Sequence, residues 1–428
     1  MRTIIMAGGK GTRVSSISSI LPKPMIKICG KPILEYQIEC LKNNNLIDIT
    51  IVVEYLYNAI IDYFGDGSRF GCKITYYIEK EPLGTAGALF KIDNLTNDFI
   101  LLNGDIIFDI DFSRMINFHN EKNSLMTLVV HPNDHPFDSA ILVCDNNYQV
   151  MNILNKEDER KYYKNLVNAG IHILSYELLN SISFEKEKID LDRDIINQVI
   201  QTNRIYAYYT PEYIKDMGTP ERYNQVSFDI NNKIVSKKNL SNRQKCIFLD
   251  RDGTINELKG FINKPEDFIL LDGVPEAIKL FNKLGFLVIV ITNQPVIARG
   301  EIDIETLNLI HMKMETDLGK HGAYLDAIYY CPHHTDKGFI GERPEYKIDC
   351  DCRKPKPGML IKAAKEFNID LKQSYMVGDS INDVYAGISA GCHSVYLTNN
   401  TPVENFDFKD DIEIYNDLKD FSKSFCKQ

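Results

Sequence analysis

The sequence predicts two α/β domains, each built around a mostly parallel sheet. Short β-rich runs alternate with helix-like stretches along nearly the whole chain, which is the pattern of consecutive βαβ units. The length of 428 residues is more than one ordinary hydrophobic core accommodates. A polar stretch rich in Asn, Ser and Lys interrupts the alternation at residues 231–245. We therefore expect domains over residues 1–230 and 246–428, joined by a flexible linker over residues 231–245.

The overall composition argues against two classes of partner. A formal net charge of −10 disfavours a nucleic-acid ligand, whose binding depends on neutralising phosphates. The chain has neither the apolar segment of a signal peptide at its start nor a run of ~20 apolar residues that would span a bilayer. We expect a cytoplasmic protein that acts on small molecules. The composition leaves the oligomeric state open, homo-oligomers included.

The second predicted domain opens with a strand that ends in two acidic residues. The apolar residues 246–249 precede Asp250 and Asp252. Side chains two apart on a strand face the same side, and two such carboxylates attract a hard cation such as Mg²⁺. A carboxylate held there can attack phosphorus and form an aspartyl-phosphate. A surface turn is the simpler alternative, but later strand ends and helix starts add polar residues in an order that suits one pocket: Thr292, Asn293, Lys354, Asp379 and Asp383.

This series of motifs resembles the haloacid dehalogenase phosphatases over residues 246–400. The resemblance implies a HAD-like doubly wound domain without a large cap, with Asp250 as nucleophile and Asp252 as general acid/base. It also implies that Mg²⁺ is held by Asp250, Asp379 and the backbone carbonyl of Asp252. The residues implied to bind the substrate and its phosphoryl group are Thr292, Asn293, Arg353 and Lys354.

Four residues of the same half have the spacing of a zinc site. Cys331 and His333 form one short pair, Cys350 and Cys352 form another, and a loop separates the pairs. Three thiolates and one imidazole would close a structural Zn²⁺ site, whereas a loop of reduced, metal-free side chains is the alternative. The surrounding letters, CPHH and CDCRKPKPGM, resemble the heptose 1,7-bisphosphate phosphatases, and the histidinol-phosphate phosphatases are related. The loop between the pairs is longer than in that pattern, which leaves the anomeric preference open.

The first predicted domain begins with a strand that runs into a glycine-rich loop. Gly8, Gly9 and Gly11 would let backbone N–H groups approach a triphosphate. Lys10 is not followed by the Ser or Thr of a P-loop, and Val14 stands where a dinucleotide-binding fingerprint has glycine. On its own, the loop is as compatible with a tight turn as with a phosphate site.

Further motifs give this loop a chemical context. They are Lys23 in PKPM, Gly84 in EPLGTAGAL, Asp105 at the end of ILLNGD, Asn168 and Gly170 in NAG, and Asp216 in KDMGTPERY. Together they resemble the sugar-1-phosphate nucleotidylyltransferases over residues 1–225, which implies a Rossmann-like, GT-A-like domain.

The resemblance also implies roles for individual residues. Those implied to hold the nucleoside triphosphate are Gly8, Gly9, Gly11, Thr12 and Arg13, with Lys23 at the reacting phosphates. Gly84 would lie along the base or sugar, while Asp105 and Asp216 would hold Mg²⁺. The implied sugar contacts come from Lys156, Asn168 and Gly170. Such a reaction needs alignment and charge neutralisation more than a general base.

Within that superfamily, IEKEPLGTAGAL and TPEYIKDMGTPERY look most like the D-glycero-α-D-manno-heptose-1-phosphate guanylyltransferases. The preference for guanine rests on this likeness alone. Because both halves point to one sugar, we expect a bifunctional enzyme that removes the 7-phosphate of heptose 1,7-bisphosphate and converts the 1-phosphate to GDP-heptose. Two alternatives stay open. One is a hexose-1-phosphate nucleotidylyltransferase fused to a histidinol-phosphate-type phosphatase, and the other is a nucleotide-sugar sensor that regulates the phosphatase.

Overall fold

The computed structural model describes residues 1–8, 21–401 and 412–427, which fold into two compact units. Unit 1 comprises Met1–His131, Leu142–Leu154 and Leu166–Asn239. Unit 2 comprises Pro132–Ile141, Asn155–Asn165 and Leu240–Gln428. The units differ from the continuous ranges expected from the sequence, because two short segments of the first half belong to unit 2.

The elements up to Asn239 follow the predicted alternation. The strands are β1 (Arg2–Met6), β2 (Lys27–Ile28), β3 (Lys31–Pro32), β4 (Asp48–Val53), β5 (Lys73–Ile78), β6 (Phe99–Asn103), β7 (Ile106–Asp109), β8 (Met126–His131), β9 (Ile141–Cys144), β10 (Val150–Leu154), β11 (Val167–Leu174), β12 (Ile205–Tyr209) and β13 (Tyr213–Asp216). The helices are α1 (Ile33–Asn43), α2 (Tyr57–Phe64), α3 (Phe112–Glu121), α4 (Tyr176–Ser181), α5 (Asn197–Ile200), α6 (Pro220–Asn231) and α7 (Ile234–Lys237), and a π-helical turn at Leu191–Ile196 leads into α5.

The main sheet of unit 1 places β1 near its centre. The strand order is β10-β9-β11-β6-β1-β4-β5, with β8 joined to β11 and β12 joined to β8. Strands β6, β1, β4 and β5 are parallel. Almost every residue of β4 is buried, as expected for a parallel strand covered on both faces. The carboxyl ends of β6, β1, β4 and β5 therefore meet along one edge, where open α/β sheets bind ligands.

The predicted linker is an ordered segment and not a flexible coil. Helix α6 extends to Asn231, and α7 occupies Ile234–Lys237. The boundary between the units lies between Asn239 and Leu240, and Leu240 is 3% exposed. The first part of this stretch lies in helices or at their ends, and Lys238, Asn239 and Gln244 are buried, which composition alone does not reveal.

Unit 2 contains a doubly wound sheet of six parallel strands in the order β16-β15-β14-β17-β18-β19. Its elements are β14 (Cys246–Leu249), α8 (Val274–Lys283), β15 (Leu287–Asn293), α9 (Ile304–Lys320), β16 (Ala327–Cys331), α10 (Gly358–Glu366), β17 (Tyr375–Gly378), α11 (Ile381–Ala390), β18 (His393–Leu397), β19 (Glu413–Tyr415) and α12 (Leu418–Ser424). The prediction of two α/β domains is confirmed. No helix among the described residues has the length and apolar character needed to cross a membrane.

The segment Asn155–Asn165 joins unit 2 through helix α9. The Tyr163 N–H donates to Thr316 Oγ1 at 3.0 Å, and the Asn165 N–H donates to Glu315 Oε1 at 3.2 Å. These hydrogen bonds to two adjacent residues of one helix explain why the segment is compact with unit 2, although its sequence lies within the first half.

Candidate active sites and metal centre

The predicted phosphatase residues lie at the carboxyl edge of the unit 2 sheet. Asp250 directly follows β14, and its N–H donates to the Val377 carbonyl oxygen at 2.9 Å. Thr292 and Asn293 end β15, and Asp379 follows β17. Because β14, β15 and β17 are parallel neighbours, these side chains converge on one pocket.

Lys354 is the buried cation of this pocket. Its ammonium group donates to Asp250 Oδ1 and to the Ile291 carbonyl oxygen, both at 2.7 Å, and lies 2.5 Å from Asp383 Oδ1. The Asn293 side chain exchanges two hydrogen bonds with the backbone of Lys354, each 3.0 Å long. The Lys354 side chain is 3% exposed, so its charge is compensated by these carboxylates and not by water.

Asp250, Asp379 and Asp383 form a cluster that fits a hard cation. Their nearest carboxylate oxygens all lie within 4.8 Å of one another. Burial, above all, raises the pKa of Asp250 to about 6 and that of Asp379 to about 7. A divalent cation between the carboxylates would oppose both shifts, and Mg²⁺ favours such oxygen ligands. Gly253, at a φ of +81°, brings backbone so close to Asp379 that a Cβ there would overlap its carboxylate. The backbone that follows Asp252 is therefore close to the Asp379 carboxylate.

Asp252 is held by a buried network that the sequence reasoning missed. The guanidinium of Arg251, 0% exposed, donates to both Asp252 carboxylate oxygens at 2.9–3.1 Å. Gln294 Nε2 donates to Asp252 Oδ2 at 2.8 Å and to Thr292 Oγ1 at 2.9 Å. His311 Nε2 lies 3.3 Å from Arg251 Nη1. The feature of the sequence that could have indicated this network is Arg251, a charged residue between two aspartates at the end of an apolar run.

Asp383 was placed in this pocket from the sequence, but no role was assigned to it. It occupies the third position of α11, where it completes a capping box with Ser380. The letters SIND carry the Ser-x-x-Asp form of that box, so a helix start was recognisable. The contact of the same carboxylate with Lys354 depends on the tertiary fold.

The four predicted zinc ligands come together beside β16. Nearest ligand atoms of Cys331, His333, Cys350 and Cys352 lie within 4.8 Å of one another. The three sulfur atoms are 3.2–3.5 Å apart, too far for a disulfide bond of about 2.05 Å. His333 Nδ1 lies 3.4 Å from the Cys352 sulfur, and Arg353 donates to the His333 carbonyl oxygen at 3.1 Å. Three thiols and an imidazole nitrogen are a donor set that suits Zn²⁺.

Unit 1 brings Lys23, Asp105 and Asp216 to its own sheet edge. Lys23 lies 2.5 Å from Asp105 Oδ2. Strand β13 pairs with β7 so that Asp216 is opposite Ile106, and the Met217 N–H donates to the Asp105 carbonyl oxygen at 3.0 Å. Asp216 itself pairs with an arginine of α6, Arg222, at 2.5 Å. Both carboxylates are partly exposed, at 38% and 39%, so a cation can reach them.

A buried glutamine supports the turn that carries Asp105, and sequence reasoning missed it. Gln37 on α1 is fully buried, and its Nε2 donates to the carbonyl oxygens of Asn103 and Ile106 at 2.9 and 2.7 Å. These two residues flank the turn, so Gln37 fixes its geometry. The feature of the sequence that could have indicated this role is Gln37 itself, a polar residue on the apolar face of the helix KPILEYQIECLKN.

The remaining predicted transferase residues have different placements. Gly8 follows β1, whereas Gly9, Gly11, Thr12 and Arg13 lie outside the described residues. The Gly170 N–H donates to Asn168 Oδ1 at 3.3 Å next to Asn103. Gly84 has a φ of +84° and packs so closely on the Ile189 carbonyl that a Cβ would overlap it. Lys156 is exposed and belongs to unit 2.

Comparison with known proteins identifies both halves. Residues 2–233, more than half of the chain, match the model of the nucleotidyl transferase family, and residues 193–391 match that of the haloacid dehalogenase-like hydrolases. The D-glycero-beta-D-manno-heptose-1,7-bisphosphate 7-phosphatase of Pasteurella multocida is 45% identical over 155 residues, which are 36% of this chain and 81% of that protein. The chain belongs to both families.

Two further proteins are similar to parts of this nucleotidyl transferase and haloacid dehalogenase-like hydrolase. The protein of the same name from Haemophilus influenzae is 46% identical over 147 residues, 34% of this chain and 77% of the relative. Among solved structures, HddC from Yersinia pseudotuberculosis is 28% identical and covers 54% of this chain and 99% of its own, with a TM-score of 0.47. The predicted fusion is confirmed, and the chain is a bifunctional transferase and phosphatase.

Proposed function

We propose that the phosphatase half removes the 7-phosphate of D-glycero-D-manno-heptose 1,7-bisphosphate and that the transferase half converts the resulting 1-phosphate to GDP-heptose with GTP. The observation that carries the proposal is the 45% identity of the second half to a phosphatase named for that bisphosphate, in a chain whose first half is a nucleotidyl transferase. A sugar 1-phosphate, the product of the first reaction, is the substrate class of the second. Both substrates are phosphorylated metabolites, so we place the enzyme in the cytoplasm.

In the phosphatase half, Asp250 is proposed as the nucleophile. One of its carboxylate oxygens attacks the phosphorus of the 7-phosphate, the bond from phosphorus to the sugar oxygen breaks, and Asp252 donates a proton to that oxygen. Water then attacks the aspartyl-phosphate, Asp252 takes the proton from water, and phosphate leaves. Arg251 and Gln294 hold the Asp252 carboxylate in position for both transfers.

The cations around this reaction have separate tasks. The ammonium of Lys354, beside Asp250, neutralises charge on the transferring phosphoryl group. Mg²⁺ bound by Asp250, Asp379 and the Asp252 carbonyl would supply further neutralisation, with Asp383 close to the same ion. Thr292 and Asn293, at the end of β15, bind phosphate oxygens, and Arg353 faces the remainder of the substrate.

A structural Zn²⁺ is proposed for Cys331, His333, Cys350 and Cys352. The donor set is closed, with three sulfurs and one nitrogen, and leaves no position for a reacting water. The second pair of ligands immediately precedes Arg353 and Lys354 in the sequence. The ion would therefore fix the loop that delivers the catalytic lysine.

In the transferase half, the sugar-phosphate oxygen attacks the α-phosphorus of GTP and pyrophosphate leaves. Lys23, together with Arg13, is proposed to neutralise the phosphates, and Asp105 and Asp216 to hold Mg²⁺ for the same purpose. Asn168 and Gly170 are proposed to contact the sugar hydroxyls. Alignment of the two substrates supplies much of the rate, because no bond to the protein is formed.

A substrate panel tests the proposal. The purified chain is given each anomer of heptose 1,7-bisphosphate and, separately, histidinol phosphate, with phosphate release as the readout. It is then given each heptose 1-phosphate anomer with GTP, ATP, UTP or dTTP, with pyrophosphate release as the readout. The proposal requires one anomer to serve both halves. It fails if no heptose 1-phosphate yields pyrophosphate, or if the two halves accept opposite anomers.

A further inference from the structure

A buried histidine, His311, lies behind the proposed general acid/base of the phosphatase site. It is on helix α9, and its exposed fraction is 5%. No motif of the sequence included it, and none of the proposed reaction steps uses it. Its Nε2 lies 3.3 Å from Nη1 of Arg251, the arginine that donates to both oxygens of the Asp252 carboxylate. One side chain therefore separates the imidazole from the group that transfers the proton.

The hydrogen bond between His311 and Arg251 has only one possible direction. A guanidinium has N–H donors and no acceptor, so His311 Nε2 accepts from Arg251 Nη1. Burial, above all, together with the positive charges of Arg251 and Lys164, holds the pKa of His311 well below its usual value. The imidazole is therefore neutral, with a lone pair on Nε2 and its proton on Nδ1.

Three partners fix the plane of the Arg251 guanidinium. Nη1 donates to His311, and Nη2 donates to Gln294 Oε1 at 3.0 Å. The edge formed by Nε and Nη2 donates to the Asp252 carboxylate at 2.9–3.1 Å. Among the described residues, His311 is the sole hydrogen-bond partner of Nη1. Loss of this acceptor would leave a buried N–H unpaired, and the guanidinium would turn in search of another partner.

The position of His311 is itself fixed by contacts on helix α9. The imidazole packs against the ring of Tyr330 on β16, with ring centroids 5.6 Å apart. One helical turn farther on, Glu315 Oε1 accepts from the Asn165 N–H at 3.2 Å. The helix is therefore anchored both to the sheet of unit 2 and to the segment Asn155–Asn165. An acceptor held in this way can hold its donor in turn.

We propose that His311 is a positioning residue of the phosphatase, which accepts from Arg251 and thereby holds Asp252 where it gives its proton to the leaving oxygen of the substrate. In that step an Asp250 oxygen attacks phosphorus, the bond between phosphorus and the ester oxygen breaks, and the ester oxygen takes the proton of Asp252. The imidazole gains and loses no proton. The inference rests on the proposed function for the role of Asp252, but not for the identity of the sugar.

The choice of leaving group isolates this role. A sugar alkoxide is a strong base and needs a proton as it leaves, whereas p-nitrophenolate is a weak base and leaves without one. The full chain, in excess over substrate and with Mg²⁺ present, is mixed with p-nitrophenyl phosphate or with the sugar phosphate that the wild type hydrolyses fastest. Rapid quenching measures release of the phenol or the sugar in the first turnover. The later hydrolysis of the aspartyl-phosphate then does not affect the rate.

Three variants of His311 separate the acceptor from the space that the side chain fills. His311→Leu should slow release of the sugar by about 10- to 100-fold, the effect of a catalytic group displaced by about 1 Å, and should leave release of p-nitrophenolate close to the wild-type rate. His311→Gln should restore most of the sugar rate, because its amide oxygen reaches the place of Nε2. His311→Asn carries the same amide on a side chain one methylene shorter and should behave like His311→Leu.

Met314→Ala is the matched control for loosened packing, because Met314 is fully buried one turn along the same face of α9. It should leave the ratio of the two rates unchanged, and a changed ratio would assign the effect to packing. Equal slowing of both substrates in His311→Leu would overturn the proposal. So would equal sugar rates in His311→Asn and His311→Gln, a comparison that holds even if the leucine variant does not fold.

The inference and the proposed function can fail separately. If the wild type releases no phosphate from heptose 1,7-bisphosphate but hydrolyses another sugar phosphate, the proposed substrate is refuted and the test of His311 proceeds with that other substrate. If the bisphosphate is hydrolysed and the ratio of the two rates is the same in His311→Leu as in the wild type, the substrate stands and the positioning role is refuted.

Discussion

The two phosphate sites of the chain occupy the same place in their sheets and differ in burial. In unit 1, Lys23 and Asp105 are 2.5 Å apart, with side chains that are 14% and 38% exposed. In unit 2, Lys354 and Asp250 are 2.7 Å apart, with side chains that are 3% and 12% exposed, and the second carboxylate, Asp383, is 0% exposed. One lysine–aspartate pair is therefore open to water, and the other is almost sealed from it.

The difference is the one that the two proposed reactions require. A carboxylate that must attack phosphorus itself has to be held and stripped of water, and this requires a buried cation to compensate its charge. A site that only aligns two bound substrates receives its phosphates from solvent, so its charges stay accessible until the substrates arrive. Burial of the ion pair thus separates the proposed covalent site from the proposed alignment site.

The largest expected effect separates the two reactions. Asp250→Asn should lower phosphate release from the bisphosphate by at least about 10³-fold and leave pyrophosphate release from heptose 1-phosphate unchanged, because only the phosphatase uses a protein nucleophile. The reciprocal control, Asp105→Asn, should lower pyrophosphate release alone. Parallel losses of both activities in either variant would contradict the assignment of one chemistry to each unit.

Removal of each lysine tests the difference in burial directly. Lys354→Met leaves buried carboxylates without their cation and should lower the free energy of unfolding by about 3–5 kcal/mol. Lys23→Met breaks a partly exposed pair and should cost less than about 1 kcal/mol. Far-UV circular dichroism in urea measures both, with EDTA present so that no cation replaces the lost ammonium. Similar losses for the two variants would show that burial does not separate the sites.

The proposed zinc site would stabilise unit 2, and its removal should spare the transferase. Cys352→Ser should lower the zinc content of purified protein from about one ion per chain and reduce phosphatase activity, because the loop before Lys354 loses its anchor. Cys426→Ser, at an exposed cysteine, is the control. Metal analysis and phosphate release measure the effect. An unchanged zinc content in Cys352→Ser would show that Cys352 is not a zinc ligand.

The smallest expected effect concerns helix α9 of unit 2. Burial raises the pKa of Glu315 to about 7, above the 4.5 of an ordinary glutamate. The stability that this group contributes is complete below pH 4.5 and is lost as the pH rises through 7, because the unfolded chain gives up its proton first. Glu315→Gln should therefore match the wild type at low pH and exceed it at pH 8 by on the order of 1 kcal/mol, a figure reduced for partial exposure.

Thermal unfolding across that pH range measures the Glu315 effect. Glu305→Gln, on the exposed first turn of the same helix, is the control for removal of a negative charge. A wild-type advantage at pH 8 would show that Glu315 is stabilised as a carboxylate, contrary to the expected sign.

The local sequence was sufficient to predict the fold class and the site residues at the ends of strands. An apolar run followed by Asp250 predicts a buried strand with a carboxylate at its carboxyl end, because both depend on neighbours in sequence. The same holds for Cys331 and Cys350, whose short spacings already indicate ligand pairs. In each case the information lies within a few residues.

The site residues that were not predicted depend on contacts between residues far apart in the sequence, which no local pattern contains. Arg251 is fully buried because His311 and Gln294, 60 and 43 residues away, surround its guanidinium. The segment Asn155–Asn165 belongs to unit 2 because Glu315 and Thr316, 150 and 153 residues after their partners, accept its N–H groups. Polar residues buried by distant partners are thus the class that sequence reasoning missed.

The most direct test of the central claim follows one substrate through both halves. The wild type is incubated with heptose 1,7-bisphosphate, GTP and Mg²⁺, and nucleotide sugars are separated by chromatography. We expect GDP-heptose from the wild type, none from Asp250→Asn until heptose 1-phosphate is added, and accumulated heptose 1-phosphate from Asp105→Asn. GDP-heptose made from the bisphosphate by Asp250→Asn, or none from the wild type, would contradict the account.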